Sequence, residues 1–107
     1  MSRILEYFAR RVTVEGSSMM PTYRPGERLT ALRRWRAVRV GDVVVVRDPR
    51  DETRWLLKRC VATTGSSLEL RGDNAEASTD SREFGPVPVS AVSFIVIDPK
   101  GTLPRDV

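Results

Sequence analysis

Apolar residues fall in short bursts along this chain, separated by polar residues and turn formers. Val12 and Val14 alternate with polar neighbours, the period-two signature of a half-buried strand. Leu29 to Leu32 predicts a second short strand. Gly41-Asp42 is a turn before Val43-Val44-Val45-Val46. β-Branched side chains at all four positions predict a central strand with both faces covered. Asp48 to Glu52 reads as a polar hairpin loop, and Arg54 to Thr63 as the longest strand. Thr64 to Ser67 is a turn, Leu68 and Leu70 start another strand, and Gly72-Asp73-Asn74 turns again. Residues 75–88 read as an ordered loop and Val92 to Ile97 as a last strand. Ahead of these, Arg3 to Arg10 predicts two helical turns with Ile4, Leu5, Tyr7 and Phe8 on one side.

Short strands with frequent turns predict a mainly β fold, a single compact domain. Its expected limits are a helical leader over 1–10, the β domain over 11–98 and a tail over 99–107. The chain has 107 residues, which is one domain's worth. No internal repeat or heptad pattern interrupts it.

Composition then narrows the chemistry. There is no histidine and one cysteine, Cys60. An internal disulfide is excluded, a zinc site has too few ligands, and no Ser-His-Asp or Cys-His centre can be built from this chain. No metal or cofactor is expected. The net charge is +4, carried mostly by arginine, which suits nucleic acid, anionic lipid or an arginine-rich proteome equally. The apolar N-terminal stretch is broken by Glu6 and ends at Arg10-Arg11, too short and charged for a secretory signal or a span. The expected location is cytoplasmic, with peripheral membrane contact left open.

Two segments carry candidate chemistry. Gly16-Ser17-Ser18-Met19-Met20-Pro21-Thr22 places a serine on a turn whose glycine and proline restrict its shape. A serine needs a base before it is a nucleophile, and backbone N–H groups at such a turn can form an oxyanion hole. Ordinary turn serines would look the same. Lys58 lies in a strand between Leu56 and Cys60 on its own face. Burial there disfavours the ammonium; keeping such a lysine largely neutral near pH 8 costs about 4 kcal/mol. The alternative is an edge lysine that reaches out to water. A third segment, Gly72 to Arg82, offers Ser78 as a hydroxyl to orient a lysine, and Asp80 with Arg82 as an ion pair to pin the loop.

Together, in order and spacing, these segments resemble the type I signal peptidase family, serine proteases with a Ser/Lys dyad. Gly16 to Thr22 resembles the nucleophile box. Asp42 to Val46 resembles the second strand box. Lys58-Arg59-Cys60-Val61-Ala62 resembles the lysine box, and Gly72-Asp73-Asn74 through Ser78, Asp80-Ser81-Arg82 and Gly85 the final box. The resemblance implies a signal peptidase-like β domain, with Ser18 as nucleophile and Lys58 as general base. It further implies Ser78 as the hydroxyl orienting the lysine, Asp80 and Arg82 as a supporting ion pair, and the Ser18 N–H as an oxyanion donor. Some members have a second donor, a hydroxyl two positions before the nucleophile. That position is Gly16 here. The lysine box continues as Thr63-Thr64-Gly65, where Leu-Pro-Gly is usual.

The family's membrane anchors precede the nucleophile box, and this sequence has only a short stretch there. It also lacks the large insertion of many members. In both respects it resembles the anchorless subfamily thought to mature nickel-type superoxide dismutase. The expectation is therefore a serine endopeptidase that removes an N-terminal extension from a precursor protein bound as an extended segment, the dismutase precursor first. A signal peptidase without its anchor ranks second. The self-cleaving repressors resemble the same fold and dyad, but this chain has no Ala-Gly dipeptide and no room for a DNA-binding domain. A small basic β domain that binds nucleic acid is the alternative of a different class, though the aromatic residues form no stacking stripe and no nucleic acid is expected.

Overall fold

The four-valine run lies at the centre of the sheet. The computed structural model describes residues 8–77 and 84–97, and within it Val43–Asp48 (β3) pairs antiparallel with Asp51–Thr64 (β4) on one side and Val92–Val96 (β7) on the other. Its side chains go alternately to two cores. Val43 and Val45 pack with Val14, Met19, Tyr23 and Phe94. Val44 and Val46 pack with Cys60, Leu68, Leu70 and Ile95. A strand buried on both faces needs apolar residues at every position, which is the reason for the unbroken run.

The remaining strands are Ala9–Thr13 (β1), Arg28–Arg33 (β2), Ser67–Arg71 (β5) and Val87–Pro88 (β6). All seven form one sheet in the order β1-β2-β7-β3-β4-β5-β6, and every pairing is antiparallel. The mainly β single domain expected from the residue pattern is what forms.

Strand β4 matters most for function. It has 14 residues and changes partner partway. Asp51 to Arg59 pairs with β3, whereas Arg59 to Thr64 pairs with β5, with a register shift between Cys60 and Ala62. Among the described residues, the first half of β4 is thus hydrogen-bonded along one edge only. The same holds for β1, which pairs with β2 alone. Among the described residues, β6 closes one end of the sheet with an open edge, and two open strand edges concern the site, β1 at the other end and the first half of β4 in the middle.

Several boundaries differ from expectation. Ala9 and Arg10 are strand, paired with Leu32 and Ala31, where two helical turns were expected to run to Arg10. An isolated helix of two turns is weak in water, and cross-strand bonds to β2 are the better partner. Positions 1–7 and the tail from 98 lie outside the described residues. The polar loop at 48–52 is a tight turn. The Asp48 carboxylate accepts the Arg50 N–H at 2.8 Å and the Arg50 guanidinium at 3.1 Å, letting β4 begin at Asp51. Within the expected loop over 75–88, one turn of 3-10 helix forms at Ala75–Ala77, and β6 adds a short strand beside β5.

Candidate active site

The turn bearing Ser18 is fixed from both sides. Val14 bonds Glu27 and Gly26 through its backbone N–H and C=O, at 2.8 Å each, and so closes the base of the loop. Gly16 follows with φ +73°, a conformation that costs other residues strain. Met19 and Tyr23 then insert into the core at 1% and 0% exposure, and the Tyr23 N–H donates to the Met19 carbonyl at 2.9 Å. The Met20–Pro21 peptide is cis. Ser18 itself is half-buried, next to the fully buried Met19.

Lys58 sits opposite Val44 on β4 and is 3% exposed. Its same-face neighbours are Leu56, half-buried, and Cys60, fully buried. The enclosed setting expected from strand alternation is present, and the edge position reaching to water is not. The next residue is pinned. The Arg59 guanidinium donates to both Asp73 carboxylate oxygens at 2.9 Å and to the Gly41 carbonyl at 2.9 Å.

Asp73 and Asn74 connect this strand to the serine turn. The Asn74 N–H donates to the Ser18 carbonyl at 2.8 Å, and its side-chain amide to the Ser17 carbonyl at 3.1 Å. Burial alone would push the Asp73 carboxyl up. Hydrogen bonds from Arg59 and from Thr22, with the guanidinium charge, outweigh that and hold it below the ordinary carboxylate range. Thr22 belongs to the serine turn, so Asp73 and Asn74 both grip that turn while Arg59 ties them to the lysine strand.

Ser18 and Lys58 line one cleft of about 820 Å³. One wall is β1 and the turn from Val14 to Met19; the other is the first half of β4, from Thr53 to Lys58. These are the two open strand edges described above. Gly16, the position where a second oxyanion hydroxyl was sought, lines the cleft beside Ser17. Ser78, Asp80 and Arg82 lie outside the described residues. Among the described residues, Arg59–Asp73 is an ion pair that links the lysine strand to the serine turn.

Residues 2–73 match the family described as signal peptidase, peptidase S26. The chain belongs to that family. The matched stretch contains both Ser18 and Lys58, and the enzyme class expected of the sequence, a serine endopeptidase, follows from S26 membership. A mitochondrial ATP-independent inner membrane protease subunit 1a from Arabidopsis thaliana is 35% identical over 112 residues, covering 80% of this chain and 67% of that protein. Mitochondrial inner membrane protease subunit 1 from Schizosaccharomyces pombe is 32% identical over 118 residues, covering 89% and 75%. Its mouse counterpart is 27% identical over 110 residues, covering 81% and 66%.

These S26 relatives correct the cytoplasmic location expected above, since all three are named for the mitochondrial inner membrane. Among the described residues no helix is long and apolar enough to cross a membrane. The expectation failed for a physical reason: the residue pattern of a β domain reports its own packing and not the compartment it works in.

The clamp is not legible in the sequence, where Gly72-Asp73-Asn74 reads as a turn and Arg59 as part of a box. The signal is an arginine beside the candidate lysine and an Asp-Asn pair 14 positions on.

Proposed function

We propose that this S26 member is an endopeptidase in which Ser18 and Lys58 act as nucleophile and general base on an extended segment of a precursor protein. The observation that carries the reading is the cleft itself, lined by both residues and walled by β1 and the first half of β4, each laddered along one edge among the described residues. An extended peptide can complete both ladders at once, as strands added to sheet edges do. That brings its carbonyl to Ser18 without needing many side-chain contacts.

Lys58 acts neutral. It takes the Ser18 Oγ proton as Oγ attacks the scissile carbonyl, and the oxyanion is held by the Ser18 backbone N–H. The ammonium then protonates the leaving amine as the C–N bond breaks, leaving an acyl-enzyme and a neutral lysine. Water gives a proton to Lys58 and attacks the ester, and the lysine returns that proton to Ser18 Oγ. Ser78 would hold the lysine amine in line, and Asp80 with Arg82 would pin the loop that carries it.

The precursor is the finer question. The relatives' names favour one processed at a membrane. The nickel-type dismutase precursor rests on the sequence resemblance alone, and no relative speaks for it. Incubating the protein with each precursor and reading the new N-terminus by mass spectrometry separates them. A single cut that frees an N-terminal extension supports the reading. Intact precursors of both kinds at saturating enzyme would contradict it.

A further inference from the structure

The first half of β4 is lightly held for a strand that forms a wall of the cleft. Asp51 to Trp55 are all exposed, and among the described residues they ladder with β3 alone. A two-stranded hairpin by itself is marginally stable in water. Yet Thr53, Arg54 and Trp55 line the cleft, so this hairpin has to keep its place. Arginine–aromatic contacts tie it down on both faces. On one face the Arg47 guanidinium lies 4.1 Å from the Trp55 ring centroid and donates to the Glu52 carbonyl at 2.7 Å. Trp55 in turn leans on Phe94, with centroids 6.3 Å apart. On the other face Arg50 lies over the Phe84 ring at 5.7 Å while it pairs with Asp48. Asp48 is 1% exposed, and a carboxylate that buried needs a partner, which keeps Arg50 over the ring. Phe94 belongs to one core and Phe84 packs against the other. Each contact therefore joins the hairpin to a packed part of the fold.

We propose that Arg50 and Phe84, together with Asp48, are positioning residues that keep the β4 edge ready to pair with an extended substrate. This rests on the endopeptidase reading and adds residues to it. A peptide that pairs with a loose hairpin must order it first, and that ordering subtracts from affinity. An edge already braced lets more of the pairing appear as binding. Ground state and transition state share that pairing, so its loss raises KM and leaves kcat. Ser18 and Lys58 are held separately, through Arg59, Asp73 and Asn74. Arg50 also lines the cleft, whereas Phe84 is not among its described lining residues. Phe84 thus separates bracing from direct contact with substrate.

The test compares the wild type with two variants of the whole chain, Phe84→Leu and the double change Asp48→Asn with Arg50→Gln. The ion pair is changed together so that no buried charge loses its partner. The substrate is a labelled peptide copied from the cut region of the precursor that the wild type cleaves. In both variants KM should rise about tenfold, with kcat within about twofold of the wild type. Hydrogen exchange of the amides from Asp51 to Leu57 should quicken in both, while those from Phe94 to Val96 stay protected. An unchanged KM in both variants overturns the proposal, even if kcat falls with the folded fraction, because the contacts would then be structural only. So does a rise confined to the double variant, which would make Arg50 a direct substrate contact. If the wild type cuts no precursor, the endopeptidase reading fails and exchange alone judges the brace. Hairpin exchange unchanged in both variants overturns it.

Discussion

Lys58, the proposed base, sets function against stability at a single residue. A lysine side chain held at 3% exposure is costly to desolvate, and an apolar side chain of similar length should suit the site at least as well. Lys58→Met should therefore have a urea midpoint equal to or above that of the wild type. A large drop would mean that the amine is structural. Asn74 is the opposite case, half-buried and bonded to both Ser17 and Ser18. Asn74→Ala should cost only about 1–2 kcal/mol of stability, yet lower kcat by more than about tenfold as the serine turn loosens. Asp73 gives a pH signature. Its folded pKa lies below the ordinary value, so the unfolded chain takes up the proton first. Its contribution is whole above about pH 4 and is lost as pH falls through the folded pKa. Thermal unfolding at pH 5 and pH 3 should show a smaller acid loss in Asp73→Asn than in the wild type. Ser18 and Lys58 stand out in the sequence because each is odd for its setting. Asn74 was not, because its bonds are to carbonyls brought close only by the fold.

Among the elements, β3 was readable almost to the residue. Four consecutive buried valines admit few other structures, and they divide between the two cores as a central strand must. Val44→Ala should cost about 2 kcal/mol, measurable by denaturant titration. A cost near zero would mean that this face is loosely packed. The partner change within β4 was not readable. One strand of 14 residues serves β3 and then β5, and only the register of both partners reveals where the edge opens. Cys60 sits just past that switch, fully buried, and burial pushes its thiol up from the usual cysteine range. A neutral, enclosed thiol reacts slowly. Alkylation of the native protein should lag far behind that of the urea-unfolded chain, and equal rates would place Cys60 at an exposed edge.

For the whole molecule, sequence order carried the family and the fold, because the boxes keep their spacing wherever the domain works. Location did not follow. The relatives stand at a mitochondrial inner membrane, and the polar surface of a β domain is indifferent to that. Activity belongs to the folded whole. If the base is a lysine, turnover should rise with pH over roughly 7 to 9, and a flat profile down to pH 5 would argue for another base. The most direct check is mass-spectrometric cleavage of one extended precursor segment by the wild type, Ser18→Ala and Lys58→Met, each first shown to be folded. The account predicts a single cut by the wild type and none by either variant. Wild-type rates in either variant would contradict it.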